Sequence, residues 1–251
     1  MNHYLFHSHE QQDEFVFNVL DFKTNGIFLD VSCGNPLIGS NTASLEKHLN
    51  WQGFCFDIVD VESRDSWSSK RSNPFVKMNA TSSDFTDFLK SKFTSNSVID
   101  YVSLDIDADS IQALQRILDA NLNIATLTFE HEFHRLGDTQ RQRSRDILKD
   151  AGMVRLFEDV KFPGVLNNDH KSIFVFEDWW INPKLVDPLV LSIQNSQQYY
   201  RDSVEQLKQF KNYQYTCQHL CSQSWPDEYT LFWRPDEEVE FKQKFKIFYD
   251  L

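Results

Sequence analysis

Residues 26–45, GIFLDVSCGNPLIGSNTASL, combine a strand, a tight turn and the start of a helix. The apolar run Ile27–Val31 is typical of a strand with both faces covered, and it contains an acid, Asp30, near its end. Gly34 and Gly39 follow in a turn where the backbone can approach a ligand closely. Because open α/β sheets bind ligands at the carboxyl ends of their strands, this stretch predicts a ligand site.

The turn lacks the residues that a polyphosphate nucleotide requires. Neither glycine is followed by the Lys and the Ser or Thr of a Walker A loop, and the glycine spacing of a dinucleotide fingerprint is not met. The carboxylate of Asp30 would repel a pyrophosphate, whereas it suits a sulfonium or ammonium group. The turn therefore favours S-adenosylmethionine over a polyphosphate nucleotide.

Several segments, in order along the chain, resemble the FkbM-like class I S-adenosylmethionine-dependent methyltransferases. DVSCGNP at 30–36 is similar to the first motif of that superfamily, and 39–57 resembles the Ser-Asn-Thr segment, helix and second strand of the FkbM pattern. IDYVSLDID at 99–107 and TLTFEHE at 126–132 resemble the fourth and fifth strands of the family. The resemblance covers about residues 10–185.

Strand and helix patterns alternate along this part of the chain. They predict further strands at 54–58, 75–78, 99–105, 124–130, 154–159 and 172–177, and helices at 84–93, 110–121 and 139–151. Such alternation predicts an α/β fold with a doubly wound, mostly parallel sheet. The resemblance implies seven strands with the last antiparallel, as in the Rossmann-like methyltransferase fold, with residues 1–187 as the methyltransferase domain.

Residues 188–251 have a different character and predict a C-terminal, mainly helical extension. Apolar residues recur with helical spacing over 191–213, and 237–249, EEVEFKQKFKIFY, fits either a second helix or a closing strand. A cap that packs on the sheet is the favoured interpretation, and a lid or an arm that forms a homodimer is the alternative.

Composition limits the partners and the compartment of the protein. A net charge of −12 argues against a nucleic-acid partner, because phosphate contacts require clustered Lys and Arg. No segment has the length of a membrane span, and the first residues lack the basic and apolar regions of a secretion signal. The four cysteines are too scattered for a disulfide framework. We therefore expect a cytoplasmic protein with reduced thiols.

Residues at the ends of the first four strands form a candidate cofactor site. Asp57 closes the second strand, where its carboxylate can accept two hydrogen bonds from a ribose diol, although it could also cap a turn. Asn79 and Ala80 follow the third strand and could border the adenine. The predicted cofactor-binding residues are Asp30, Ser32, Gly34, Asn35, Asp57, Asn79, Ala80 and Asp105.

Ionisable residues at the ends of the fourth and fifth strands predict a catalytic edge. The sheet should bring six of them together: Asp105, Asp107, Glu130, His131, Glu132 and His134. Methyl transfer is an in-line displacement that needs positioning and removal of a proton. Asp105 or His131 is the candidate base, and Glu130 completes the catalytic set. Asp105, Asp107 and Glu130 also suit a divalent cation, which is possible but not expected.

Two other groups of residues carry side chains that can ligate a metal. His3, His7 and His9 crowd the amino terminus, and Cys217 and Cys221 flank a histidine. Neither group has a second ligand pair at zinc-finger spacing, so a polar terminus and a semi-buried helix are predicted instead. Residues 11–13 resemble a leading segment of the family that folds over the active site.

The sequence thus predicts an S-adenosylmethionine-dependent methyltransferase. The acceptor, a small hydroxylated molecule such as a sugar or glycan unit methylated on oxygen, follows from the resemblance alone. Ser32 and Pro36 stand where the first motif usually has glycine. One alternative is therefore a non-catalytic Rossmann-like protein that binds a partner, and another is an enzyme that uses a different adenosine ligand such as NAD.

Overall fold

A seven-stranded sheet forms the centre of the fold in a computed structural model, which describes residues 3–61, 63–166, 170–193 and 200–220. The strands of the chain are β1 His3–Phe6, β2 Ile27–Val31, β3 Gln52–Asp57, β4 Phe75–Lys77, β5 Val98–Leu104, β6 Asn123–Glu130, β7 Val154–Leu166, β8 His170–Ile181 and β9 Thr216–His219. The helices are α1 Gln12–Val19, α2 Ala43–Leu49, α3 Arg64–Lys70, α4 Ser83–Lys92, α5 Ser110–Asp119, α6 Phe133–Leu136, α7 Asp138–Asp150 and α8 Tyr200–Lys211, with 3-10 turns at Asp107–Asp109 and Pro188–Ser192.

The central sheet has the order β4-β3-β2-β5-β6-β8-β7. The first five of these strands pair in parallel, and β8 runs antiparallel to both of its neighbours. β8 is also the last of the seven strands along the chain, as the resemblance implied. The predicted doubly wound, mostly parallel sheet of the Rossmann-like methyltransferase fold is confirmed.

Alternation of side chains along β2 divides the core into two layers. Phe28 packs in a layer with Phe15 of α1 and Leu45 of α2, whereas Leu29 packs in the opposite layer with Leu114 of α5. Both faces of the sheet are therefore covered by helices, which explains the mainly apolar character of its central strands. None of the helices in the described ranges has the length and apolar character needed to cross a membrane.

The two ends of the described chain meet in a second, smaller sheet. β1 and β9 pair in parallel, with His3 opposite Thr216 and Phe6 opposite His219. The prediction of a semi-buried helix around Cys217 is therefore wrong. Neither short strand carries a long apolar pattern, and each is completed only by a partner about two hundred residues away.

The outer strands and the extension depart from the predicted bounds. β7 and β8 continue beyond the predicted 154–159 and 172–177, because they pair with each other past the end of β6 and because residues 178–181 of β8 pair with β6 itself. Within the predicted helix 191–213, the structure has α8 at Tyr200–Lys211. The predicted element at 237–249 and Cys221 lie outside the described residues. The division into residues 1–187 and 188–251 stays a prediction.

Candidate functional site

A cavity of about 270 Å³ opens at the carboxyl ends of the central parallel strands. It lies where the chain order reverses between β2 and β5, and there the backbone N–H of Asp105 donates to the carbonyl of Val31 at 3.2 Å. Four predicted cofactor-binding residues line the cavity: Ser32, Asp57, Asn79 and Ala80. The structure thus places half of the predicted set at one topological switch point.

The described residues that line this cavity are acidic, apolar or uncharged polar, and they include no Lys or Arg. Asp57, Asp107 and Asp109 contribute carboxylates, while Ile58 and Met78 contribute apolar surface. Carboxylates repel a pyrophosphate and attract a cation, although Asp107 is itself paired with Arg135 at 2.6 Å. The wall suits an adenosine ligand that carries positive charge.

The turn after β2 keeps a glycine-like shape although serine replaces glycine. Ser32 has a φ of 72°, in the left-handed region, and its N–H donates to the carbonyl of Phe56 at 2.9 Å. The N–H of Gly34 donates to the carboxylate of Asp57 at 3.3 Å. The side chain of Asn35 accepts from two backbone N–H groups that follow it. The turn and the end of β3 are therefore joined directly.

Asp30 faces the opposite side of the sheet from the cavity. Its buried carboxylate accepts a hydrogen bond from the hydroxyl of Thr42 at 2.6 Å, and burial raises its pKa to about 6. Arg71, whose side chain is fully buried, lies nearby and donates to Glu46 at 2.7 Å and to the carbonyl of Pro36 at 3.1 Å. Asp30, through Thr42, and Arg71, through Pro36, thus stabilise the loop between β2 and α2.

A second acidic group lies at the end of β6 beside Asp105. Burial and the nearby Asp105 raise the pKa of Glu130 well above its usual range. Glu177 lies opposite Glu130 in the β6–β8 register and accepts from Nε1 of Trp179 at 2.5 Å. Sequence reasoning missed Glu177, since only the antiparallel register brings it to this edge. Asp105, Asp107 and Glu130, all described, form no group with oxygens within 4.8 Å of one another.

His131 points away from the cavity into a buried charged cluster. Its Nδ1 accepts from the N–H of Phe133 at 3.2 Å, and its Nε2 lies 3.6 Å from Asp178 and 3.8 Å from Asp159. Arg145 joins the same two carboxylates at 2.7 and 2.5 Å. The histidine is 0% exposed, so the structure gives it no path to a substrate at the sheet edge.

The remaining predicted catalytic-edge residues divide into two groups. Arg135 binds both Asp107 and Glu132, at 2.6 and 2.7 Å, and burial raises the pKa of Glu132 to about 7. His134 instead donates from Nδ1 to the carbonyl of Val175 at 3.3 Å. The predicted carboxylates therefore lie at the carboxyl edge of the sheet, whereas His131 and His134 form hydrogen bonds with backbone groups of the protein.

The segment before α1 folds over the loop that follows β2. Ser8 pairs with Gly39, and a Cβ at Gly39 would lie only 2.6 Å from Nε2 of His9. Asp13, which is fully buried, accepts from the hydroxyls of Ser8 and Ser44. That residues 11–13 fold over the active site stays a prediction, while the contact of His9 with the loop after β2 was not predicted.

Comparisons with known proteins identify no family for this chain. No protein-family model matches it. No curated protein matches its sequence either.

Several solved structures are similar to part of this chain at low identity. An rRNA methylase from Streptococcus thermophilus is 14% identical with a TM-score of 0.41, over 68% of this chain and 94% of that one. A protein from Clostridium thermocellum, described as a candidate rRNA methylase, is 18% identical with a TM-score of 0.42, over 70% and 97%. TYW2 from P. horikoshii, in complex with MeSAdo, is 10% identical with a TM-score of 0.40, over 68% and 62%.

Proposed function

We propose that this protein is an S-adenosylmethionine-dependent methyltransferase. The observation that carries the proposal is the cavity at the switch point of the sheet, with Asp57 at the end of β3 and no Lys or Arg among its described lining residues. A dinucleotide would place a pyrophosphate against these carboxylates, whereas S-adenosylmethionine presents a sulfonium and an ammonium group. The cofactor, when bound, supplies the methyl group.

Residues of the cavity suit the parts of this cofactor. Asp57 offers a carboxylate for the ribose hydroxyls, as the acid at the corresponding strand end does in dinucleotide sites. Ile58, Met78 and Ala80 offer apolar surface for the adenine. The turn held by Asp57 at Gly34 directs the other end of the cofactor toward β5. In these assignments Asp30 does not contact the cofactor and instead stabilises the loop between β2 and α2.

Asp105 is the proposed general base. It is exposed at the edge beside the turn, whereas His131 is buried among its own partners. Burial and the neighbouring Asp105 raise the pKa of Glu130, which favours its protonated carboxyl, and a protonated Glu130 can donate a hydrogen bond to the carboxylate of Asp105. A hydroxyl acceptor loses its proton as the carbon–oxygen bond forms, which is the step that such a base assists.

We infer methylation on oxygen of a small hydroxylated acceptor such as a sugar or glycan unit. A hydroxyl nucleophile must lose its proton to a base, so the proposed base Asp105 supports oxygen as the methylated atom. The sugar class follows from the FkbM-like resemblance. The cytoplasmic location, the absence of a nucleic-acid partner and the homodimer stay predictions.

Calorimetric titration with S-adenosylhomocysteine, with NAD in parallel, tests the proposal without knowledge of the acceptor. We expect micromolar binding of S-adenosylhomocysteine at one site per chain and no measurable binding of NAD. Selective binding of NAD would replace the proposal with an enzyme that uses a dinucleotide. Binding of neither would favour a non-catalytic protein.

A further inference from the structure

A group of metal-ligating side chains lies between α1 and β9, and none of its residues lines the cavity. Glu14, Cys217 and His219 each offer one ligand atom, and these atoms lie within 4.8 Å of one another. Cys217 and His219 are two residues apart on a strand and so project from the same face. Glu14 belongs to α1 and is 1% exposed.

The distances within this group are close to those around a single zinc ion. Sγ of Cys217 is 3.5 Å from Nε2 of His219, which is 3.0 Å from Oε2 of Glu14. Sγ is 3.8 Å from the other carboxylate oxygen, Oε1. Tetrahedral zinc with ordinary bond lengths separates sulfur from nitrogen by about 3.6 Å, nitrogen from oxygen by about 3.3 Å and sulfur from oxygen by about 3.5 Å.

We propose that Glu14, Cys217 and His219 bind a zinc ion that fastens β9 to α1. Thiolate, imidazole and carboxylate together are a ligand set that zinc accepts, and three protein ligands leave the fourth position for water. The site is independent of the proposed methyltransferase activity. Sequence reasoning set this region aside for want of further ligands near Cys217, but Glu14 comes from the other end of the chain.

Charge around the group is compatible with the ion. Lys208 lies 3.4 Å from Oε1 of Glu14, and Tyr215 donates its hydroxyl to the same oxygen. Zinc binding removes the thiol proton of Cys217 and the proton of a charged His219, so the carboxylate, thiolate and zinc together are neutral. Lys208 is 22% exposed on a flexible stem and can turn its ammonium group toward water.

Zinc content of the purified full-length chain tests the site. The protein, with any histidine tag removed, is stripped with a chelator, reloaded with zinc and freed of excess metal before its zinc is counted by mass spectrometry. We expect a single equivalent in the wild type and none in Cys217→Ser. Gln218→Ala is the matched control, because Gln218 is exposed on the other face of β9, and it should keep the full equivalent.

A second measurement covers the case in which Cys217→Ser does not fold. In the wild type, zinc should slow alkylation of Cys217 at least tenfold, as measured by peptide mapping, and leave Cys33 unaffected. Zinc at about a hundred times its Kd should also raise the thermal midpoint by roughly 5–10 °C. A wild type that retains no zinc, a full equivalent in folded Cys217→Ser, or unchanged alkylation of Cys217 would each overturn the proposal.

Discussion

At the scale of single residues, Asp57 is the residue that we propose binds the ribose of the cofactor. It lines the cavity and accepts from Gly34, so removal of its carboxylate should delete the proposed hydrogen bonds to the cofactor and loosen the turn. We expect Asp57→Ala to weaken binding of S-adenosylhomocysteine roughly tenfold to a hundredfold in calorimetry. Asp60→Ala is the control, because Asp60 is exposed and pairs with Lys77. Equal affinity in both variants would remove Asp57 from the site.

The amino-terminal segment contacts Gly39 through Ser8 and His9. Its φ is 73°, and an added Cβ would meet the ring of His9 at 2.6 Å. We expect Gly39→Ala to lower the free energy of unfolding by about 2–4 kcal/mol in urea denaturation, from both strain and collision. Gly152→Ala separates the two causes, because Gly152 has a φ of 80° with open space around it. It should lose only about 1 kcal/mol, and an equal loss in both variants would refute the contact with His9.

At the scale of elements, Arg145 ties α7 to the outer strands. Its guanidinium bridges Asp159 of β7 and Asp178 of β8, and Asp178 is completely buried. Removal of the cation leaves carboxylates without their main partner, so Arg145→Met should cost about 3–5 kcal/mol of stability in urea denaturation. Arg143→Met, at an exposed position of the same helix, should change stability by no more than about 0.5 kcal/mol. Similar losses of stability in both variants would show that the ion pairs of Arg145 do not hold α7 against β7 and β8.

The elements that the sequence predicted well are those whose pattern is local. β2 has the predicted bounds Ile27–Val31, and α5 begins at Ser110 as predicted, because an apolar run and an amphipathic repeat are complete within each segment. The pairing of β1 with β9 has no local signal, since each strand needs a partner from the opposite end of the chain.

The same distinction holds for the candidate site. Strand ends are readable from sequence, which is why Asp57 and Asn79 were predicted next to a cavity that they line. Side-chain direction after a strand is not readable, and His131 turned into the cluster with Asp178 for that reason. Glu177 required the antiparallel register, and the contact of His9 with Gly39 required the fold of the whole amino-terminal segment.

At the scale of the whole molecule, buried carboxyl groups link stability to pH. Burial, with a contribution from Asp105, raises the pKa of Glu177 well above the ordinary value of 4.5. When the pH exceeds the ordinary value of 4.5, the unfolded chain releases a proton that the folded chain retains. The free energy of unfolding therefore falls as the pH rises toward the pKa of Glu177 in the folded protein. The limiting slope is about 1.4 kcal/mol per pH unit.

Glu177→Gln should therefore flatten this dependence. Glutamine keeps an acceptor for the indole of Trp179 but cannot ionise. Urea denaturation at about pH 5.5 and about pH 8.5 measures the slope in both proteins, and the wild type should lose more stability at the higher pH than the variant. Glu205→Gln, at an exposed position on α8, should retain the slope of the wild type. Parallel profiles for wild type and Glu177→Gln would show that Glu177 ionises normally in the folded protein.

A crystal structure with S-adenosylhomocysteine would show where the cofactor binds, which an affinity measurement does not. We expect ribose hydroxyls within about 3.2 Å of the carboxylate of Asp57, adenine against Ile58 and Met78, and sulfur facing Asp105. A ligand bound outside this cavity, or bound in it with the ribose turned away from Asp57, would refute the proposed cofactor site.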